Sequence, residues 1–206
     1  SRPGELRQEF ARGEVDRLVN GSPQHPAARA LYENRRGATE TFGKLHELLV
    51  AADMDLARMT YANALELRAY CARSAGSLAE LIATELSADG ALDEATRAAA
   101  YGMGIGIRQA EMLRDLRQDA HDGRIYLSLD QLEQHSVAPA ELDARELGKN
   151  VRAVLRSFKD SAEHELTVPP LEPSQRDLLR PLLLLAALHP RLLQRLVERH
   201  ARAARI

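Results

Sequence analysis

Several residue types are scarce in this chain of 206 residues, and each scarcity excludes a class of structure. Cys71 is the only cysteine, which excludes a disulfide framework or a cysteine-ligated metal site and fits a reducing compartment. Tryptophan is absent and β-branched residues are few, whereas alanine, leucine, arginine and glutamate dominate, which favours helices nearly everywhere. No apolar run approaches the roughly 18 residues that a membrane-spanning helix needs. The formal net charge of −2 argues against a general nucleic-acid binder, which would usually carry a basic excess.

The length and the hydrophobic content predict one folded domain. Hydrophobic residues make up 45% of the chain, which is ordinary for a globular protein, so residues 1–206 are predicted to form a single all-α domain with a substantial core. Apolar spacing and stop signals divide the chain into helices. The predicted helices cover about residues 4–19, 27–36, 39–56, 62–86, 93–121, 128–134 and 140–166, with a last one after 174.

The predicted helix over residues 93–121, which Gly123 ends, is the element around which the chain is organised. Positions spaced by three and four residues share one of its faces. Its members are Ala100, Gly104, Arg108, Glu111, Asp115 and Asp119. Gly102, Gly104 and Gly106 each cost about 1 kcal/mol relative to alanine inside a helix. We therefore expect a neighbouring helix or a ligand to approach the backbone closely at these glycines.

Asp115 and Asp119 lie one helical turn apart, where like charges repel by a few tenths of a kcal/mol on an isolated helix. Two interpretations stay open for this pair. Neighbouring arginines could neutralise it as a solvated salt-bridge network. Alternatively, a divalent cation could hold a phosphorylated ligand there, because Mg²⁺ prefers one or two carboxylates together with phosphate oxygens.

Two other charged segments are predicted to be ordinary solvated surface. Asp53 and Asp55 lie two residues apart on a predicted helix, so their side chains point to different sides. The arginine-rich end at residues 191–205 could be taken for a membrane or RNA surface. Glu198 and an apolar stripe dilute its charge, so a solvated terminal helix is the preferred interpretation.

Three segments together carry a pattern found in one protein family. Tyr70-Cys-Ala-Arg-Ser-Ala-Gly-Ser is similar to a Tyr-Cys-x-x-x-Ala-Gly-Thr helix, and residues 21–26 are similar to a linker before a further helix of that family. Leu113-Arg-Asp-Leu-Arg-Gln-Asp-Ala-His-Asp-Gly-Arg-Ile-Tyr-Leu127 is similar to a motif Leu-Arg-Asp-x-x-x-Asp followed by Gly-Arg-x-Tyr-Leu-Pro. The chain thus resembles the squalene/phytoene synthase family, the head-to-head prenyl transferases of the all-α isoprenoid-synthase fold.

The resemblance implies a helical bundle around a central cavity, in which Mg²⁺ ions clamp the diphosphates of isoprenoid substrates. The leading hypothesis is therefore an Mg²⁺-dependent farnesyl or geranylgeranyl transferase that couples prenyl chains with loss of diphosphate. By the same resemblance, Asp115 and Asp119 would bind the metal and would form the catalytic set with Arg114. The residues expected to contact the substrate are Tyr70, Ala75, Ala100, Gly104, Arg108, Glu111, Arg124 and Tyr126.

Several positions depart from the family's pattern. The family has a first Asp-x-x-x-Asp motif on a helix ahead of the segment that resembles residues 6–19, and no such motif precedes that segment here. Arg108 and Glu111 stand where the family has Gln and Asn, Gln118 where it has Glu, and Ser128 where it has Pro. The family also includes a non-catalytic mitochondrial factor for the assembly of respiratory complex I. A binding or assembly factor is therefore the alternative function.

The expected partner is an isoprenoid diphosphate and not a nucleic acid. We expect a cytoplasmic protein, and peripheral membrane association is compatible with the resemblance. The mitochondrial matrix is the alternative location, because it follows from the assembly-factor branch.

Overall fold

The computed structural model describes residues 3–57, 60–144 and 146–202, and within these ranges it contains ten α-helices and no β-strand. In chain order the helices are α1 (Pro3–Val19), α2 (Pro26–Asn34), α3 (Leu45–Leu56), α4 (Ala64–Cys71), α5 (Ser77–Leu86), α6 (Glu94–His121), α7 (Leu129–Gln134), α8 (Lys149–Leu166), α9 (Pro173–Leu178) and α10 (Arg180–Arg202). Thr39–Lys44 and Pro139–Asp143 form 3₁₀ turns, and Ala72–Gly76 forms a π-helical turn between α4 and α5. The prediction of an all-α fold is confirmed.

The 28-residue helix α6 is the centre of the fold, as predicted. Asp93 caps it, since its carboxylate accepts a hydrogen bond from the backbone N–H of Thr96 at 2.8 Å. Helices α5, α8 and α10 and the π-helical turn pack around it. Its buried face includes Met103, Ile105 and Leu113, all of which have no exposed surface. Residues on its remaining face are therefore positioned by a helix that is held on several sides.

The glycines of α6 allow neighbouring elements to approach its backbone. A Cβ added to Gly104 would lie 2.8 Å from the carbonyl carbon of Ala75 and 2.9 Å from the Cβ of Ala79. A Cβ on Gly106 would lie 2.6 Å from the side chain of Leu166 in α8. Gly102 has more room, because an added Cβ would lie 3.5 Å from its nearest neighbour, the carbonyl oxygen of Glu165. The expectation of close approach is thus confirmed, and Gly104 is the position where α6 meets the π-helical turn most tightly.

Two predicted helices are interrupted in the structure. The segment 62–86 is divided by the π-helical turn into α4 and α5. The segment predicted as a helix over 140–166 instead starts with the 3₁₀ turn, and α8 begins only at Lys149. Leu142 and Leu147 are both almost completely buried, with 0% and 2% of their surface exposed. Both leucines belong to the hydrophobic core, one on each side of the break, and this tertiary packing overrides the local helical preference.

The C-terminal part of the chain forms one helix with a proline inside it. Helix α10 continues through Pro190 to Arg202, and the rest of the arginine-rich segment lies outside the described residues. Across the described parts of the chain, none of the helices combines the length and the apolar character that crossing a membrane would require.

Candidate functional site

A cavity of about 440 Å³ lies beside the middle of α6. Its volume is in the range of roughly 300–1,000 Å³ that small-molecule sites occupy. Its wall is formed by α3, α4, the π-helical turn, α5, α6 and α10, and most of that wall is apolar. The apolar part includes Leu48, Ala52, Leu78, Ala79, Ile82 and Leu182. Five polar side chains also line it, namely Asp55, Tyr70, Ser74, Arg108 and Glu111.

A hydrogen-bonded network joins α3, α4 and α6 at this polar part of the cavity. Arg108 Nη2 donates to the hydroxyl oxygen of Tyr70 at 2.7 Å, and the Tyr70 hydroxyl donates to the carboxylate of Asp55 at 2.8 Å. The Tyr126 hydroxyl donates to the same carboxylate at 2.6 Å. The rings of Tyr70 and Tyr126 stack with their centroids 5.7 Å apart, and the Arg108 guanidinium lies 5.5 and 5.6 Å from them. The two tyrosines thus hold the Asp55 carboxylate and the Arg108 guanidinium at fixed positions.

The end of α6 explains how Tyr126 reaches this network. Gly123 has a φ of 75°, a left-handed conformation that glycine adopts without strain. The backbone N–H of Arg124 then bonds back to the carbonyl of Asp119 at 2.7 Å, which closes the helix. The chain leaves α6 in an extended segment, and Tyr126 follows three residues after the glycine.

The position of Asp55 corrects one of the predictions. Asp53 forms an ion pair with Arg12 and is a surface residue, as expected. Asp55 instead lines the cavity and accepts hydrogen bonds from two tyrosines. A signal for this was present in the sequence, because Leu48, Ala52 and Asp55 follow one another at intervals of four and three residues. That spacing places Asp55 on the same face of α3 as the apolar cavity wall.

Burial and mutual contact fix the protonation of this network. Burial raises the pKa of Tyr70 to about 12, although the neighbouring Arg108 acts in the opposite direction. Burial also disfavours the charged form of Arg108, but the oxygens of Tyr70, Tyr126 and Asp55 outweigh it and raise the pKa of the guanidinium. At neutral pH the cavity therefore presents a neutral phenol and a permanent cation.

Asp115 and Asp119, the acid pair, lie further along α6, one and two turns beyond Glu111. The guanidinium of Arg114 forms two hydrogen bonds with the carboxylate of Asp115, at 2.7 and 2.9 Å, and this contact lowers the pKa of Asp115. Burial, and then the negative charge of Asp115, raise the pKa of Asp119. Arg114 thus offsets the charge of one acid, while the other keeps an unfavourable negative neighbour.

The chemistry of these side chains fits Mg²⁺ in one particular binding mode. Asp115 and Asp119 supply hard carboxylate oxygens one turn apart on α6, and such oxygens are the ligands that Mg²⁺ prefers. No group of three or more Asp, Glu, His or Cys side chains in the described part of the chain is arranged to hold a metal ion alone. A metal ion held by Asp115 and Asp119 would therefore need further ligands of another kind.

The structure brings most of the predicted substrate residues together, but not all of them. Those that line the cavity are Tyr70, Ala75, Gly104, Arg108 and Glu111. Tyr126 is connected to it through Asp55. Ala100 has no exposed surface and belongs to the core, away from the cavity lining. Arg114 and Arg124 are exposed near the acid pair. A larger depression, of about 630 Å³ on another side of α6, contains none of the predicted residues.

Comparison with known proteins decides the family. The family model described as squalene/phytoene synthase matches residues 1–205. This chain belongs to the squalene/phytoene synthase family. The phytoene synthase of Mycobacterium tuberculosis is 32% identical over 139 residues, which are 65% of this chain and 45% of that protein. The 15-cis-phytoene synthase of Synechocystis sp. is 26% identical over 159 residues, covering 73% of this chain and 47% of that protein. The chain spans about half the length of the curated relatives it matches.

Two solved structures have the same fold as this chain. The squalene synthase HpnC from Alicyclobacillus acidocaldarius aligns with a TM-score of 0.74 at 22% identity, over 97% of this chain and 76% of that one. A dehydrosqualene synthase in complex with a ligand aligns with a TM-score of 0.77 at 21% identity, over 94% of this chain and 69% of that one. These similarities confirm the predicted isoprenoid-synthase type of helical fold.

Proposed function

We propose that this chain is a prenyl transferase of the squalene/phytoene synthase type, which couples isoprenoid diphosphates with loss of diphosphate. The observation that carries the proposal is the arrangement along α6. One face of this helix contributes to an apolar cavity at Gly104, reaches charged side chains at Arg108 and Glu111, and continues to Asp115 and Asp119. An isoprenoid diphosphate has the same polarity, with an apolar chain at one end and a charged group at the other.

The apolar wall has two roles in this proposal. Ala75, Ala79 and Ile82 would contact the prenyl chain, and the small residues leave space for it beside Gly104. The same wall would exclude water from the allylic cation that forms when diphosphate leaves, and so protect the cation from hydrolysis. The buried faces of Tyr70 and Tyr126 lie at the boundary between this wall and the charged residues.

The charged residues would bind the leaving group. Asp115 and Asp119 would hold Mg²⁺ together with the diphosphate oxygens of the ligand. Bound in this way, the ion would offset the negative charge that develops on the departing diphosphate. Arg114 and Arg124 are exposed on the same part of the molecule, and would add positive charge where that negative charge develops.

Calorimetric titration with farnesyl thiodiphosphate, a slowly reacting analogue, tests this proposal. We expect binding that is strengthened by Mg²⁺, and we expect Asp115→Asn to weaken the Mg²⁺-dependent part about tenfold or more. Asp160→Asn is a matched control, because Asp160 is an acid of α8 whose side chain is 71% exposed. The proposal fails if Mg²⁺ has no effect on binding, or if Asp115→Asn behaves like the control.

A non-catalytic binding or assembly factor is the second candidate, and one observation favours it. The guanidinium of Arg108 contacts both Tyr70 and Glu111, so a protein cation already offsets acidic charge in the cavity wall. Incubation of the full-length protein with farnesyl or geranylgeranyl diphosphate and Mg²⁺ distinguishes the two candidates. A product with a new carbon–carbon bond would exclude the binding-factor candidate, whereas tight binding without any product would support it.

Location and membrane contact are also part of the proposal. Leu185 contributes to the cavity wall, and it is about half exposed on α10 together with Leu184 and Leu188. Apolar side chains at this position suit peripheral contact with a membrane from which an apolar substrate or product is exchanged. We propose a cytoplasmic protein with such a contact, and the mitochondrial matrix is the alternative. Cell fractionation followed by a salt wash of the membrane fraction tests both locations.

A further inference from the structure

The surroundings of Arg108 differ from those of an ordinary surface arginine. Its side chain is 25% exposed, and it lines the cavity described above. Its contact with the Glu111 carboxylate is long, at 3.3 Å, and Glu111 is itself 36% exposed. Its shorter contact, at 2.7 Å, is with the hydroxyl of Tyr70, which is neutral. Arg108 thus has one direct carboxylate contact, the long one to Glu111, whereas Asp55 acts on it through the Tyr70 hydroxyl.

One donor of this guanidinium is left over. The Nε atom of Arg108 is buried, and no hydrogen-bond acceptor contacts it among the residues that the structure describes. A buried N–H without an acceptor is unfavourable, so the contacts of this guanidinium are incomplete in the absence of a ligand. An arginine presents its donors in a planar fork that matches the oxygens of a phosphate group.

The neighbouring rings keep this donor in place. Tyr70 and Tyr126 stack on each other, and both bond to Asp55, so the Tyr70 hydroxyl that accepts from Arg108 cannot swing away without breaking several contacts. The guanidinium is thus held beside the cavity before any ligand arrives. Preorganisation of this kind lowers the free-energy cost of binding.

We propose that Arg108 is a fixed cation that binds the diphosphate group of the ligand directly, so that this site binds an isoprenoid diphosphate even without a divalent metal ion. The inference rests on the proposed function, because it concerns the same cavity and the same class of ligand. It assigns Arg108 a part in anion recognition separate from that of Asp115 and Asp119, which act through a metal ion.

Calorimetric titration in the presence of EDTA tests the inference, with farnesyl thiodiphosphate and inorganic pyrophosphate as separate probes. We expect the wild-type protein to bind farnesyl thiodiphosphate in EDTA, and we expect Arg108→Gln to weaken that binding about tenfold or more. Arg108→Lys keeps the charge but loses the Nε donor, so an intermediate affinity is expected. Arg156→Gln is the control, because Arg156 is exposed on α8, and its affinity should equal that of the wild type.

The possible outcomes distinguish a failure of this inference from a failure of the proposed function. Binding that appears only with Mg²⁺ would overturn the inference and would leave the proposed function standing. Absence of binding both with and without Mg²⁺ would contradict the proposed function itself. Equal affinities of wild type and Arg108→Gln in EDTA would also overturn the inference. If circular dichroism shows that Arg108→Gln is unfolded, Arg108→Lys decides, since an affinity in EDTA equal to that of the wild type would contradict binding through the planar guanidinium.

Discussion

The network at the polar part of the cavity joins its charged residues through tyrosines. Asp55 and Arg108 both bond to the hydroxyl of Tyr70, and Tyr126 supplies a second donor to Asp55. Tyr70 is completely buried, so its hydroxyl requires these partners. A single substitution in the network therefore leaves at least one buried polar group without its partner, which costs about 1–3 kcal/mol.

The titration of Tyr70 gives the first prediction. Its pKa is raised from 10.0 in the unfolded chain to about 12 in the folded protein, because burial disfavours the phenolate. A pKa that is raised by folding stabilises the folded state below pH 10, and this contribution is lost as the pH rises towards 12. We expect the free energy of unfolding to fall over this interval, and Tyr70→Phe to make the fall smaller.

Denaturant unfolding at a series of alkaline pH values measures this effect. Tyr32→Phe is the control, because Tyr32 lies on α2, outside the network. A Tyr70→Phe protein with the same alkaline dependence as the wild type would show that Tyr70 does not titrate as the structure implies.

The glycines of α6 give a second prediction at the scale of single residues. Gly104→Ala places a Cβ within 2.9 Å of both Ala75 and Ala79, so we expect it to lower the free energy of unfolding by about 1–3 kcal/mol. Gly102→Ala adds the same methyl group to the same helix with ordinary contact distances. It should be neutral or should stabilise the protein by up to about 1 kcal/mol. Urea unfolding of the two variants checks the contrast, and equal effects would contradict the close packing at Gly104.

At the scale of elements, α6 and the turns at its ends position nearly every charged residue of the site. The helix could be predicted from the sequence because its signals are local. Asp93 gives the start, Gly123 gives the end, and spacing by three and four residues gives the shared face. The close approach at Gly104 could be predicted for the same reason, since three glycines within five residues weaken a helix unless packing compensates.

The parts that could not be predicted depend on contacts between distant segments. The spacing of Leu48, Ala52 and Asp55 shows that they share a face of α3, but whether that face meets solvent or the cavity depends on how α3 packs against α4. Tyr70 bonds to Asp55 from 15 residues away in the chain. The break before α8 depends on the burial of Leu142 and Leu147. Ala100 shares the helical face of Gly104, yet it is covered by other helices before the cavity begins. A helical face shows which residues point the same way, but not which part of that face stays uncovered.

The cap of α6 gives a prediction at the element scale. The carboxylate of Asp93 accepts hydrogen bonds from Gln175 and from the backbone and hydroxyl of Thr96, and these contacts lower its pKa from 3.8 to about 2. A pKa that is lowered by folding stabilises the folded state above pH 3.8, and this contribution is lost as the pH falls through 2. Asp93→Ala should lower the thermal midpoint at neutral pH and reduce the loss of stability between pH 4 and pH 2.

Thermal unfolding followed by circular dichroism checks the role of this cap. Glu94→Gln is the matched control, because Glu94 is the adjacent acid and its side chain is 90% exposed. The two variants should differ clearly at neutral pH. Identical midpoints would mean that the Asp93 cap does not stabilise α6.

At the scale of the whole molecule, six elements meet around one cavity that is apolar except where Asp55, Tyr70, Ser74, Arg108 and Glu111 line it. The packing of these elements on α6 supports the proposal of a single domain. The same arrangement separates two kinds of recognition. In the proposed function, the wall would contact the prenyl chain and the charged side chains would contact the diphosphate.

Filling the cavity should weaken binding of the prenyl chain without weakening binding of the diphosphate group. Ala52 lines the wall one helical turn before Asp55, so Ala52→Leu should occupy space that the prenyl chain needs. We expect it to weaken binding of farnesyl thiodiphosphate about tenfold or more, and to leave binding of inorganic pyrophosphate unchanged. Ala95→Leu, at an exposed position in the first turn of α6, is the control for calorimetry. Equal loss for both probes would show that the substitution disturbs the fold and not only the chain-binding wall.

The most direct test of the central claim is phosphorus NMR relaxation of farnesyl thiodiphosphate with Mn²⁺ in place of Mg²⁺. The claim is that Asp115 and Asp119 hold an ion against the diphosphate while the cavity holds the chain. The diphosphate also binds Mn²⁺ in solution, so the analogue with Mn²⁺ but without protein is the reference. We predict that the wild type broadens the phosphorus signals beyond this reference, and that Asp115→Asn combined with Asp119→Asn removes the additional broadening. Broadening that is unchanged in the double variant would contradict the account.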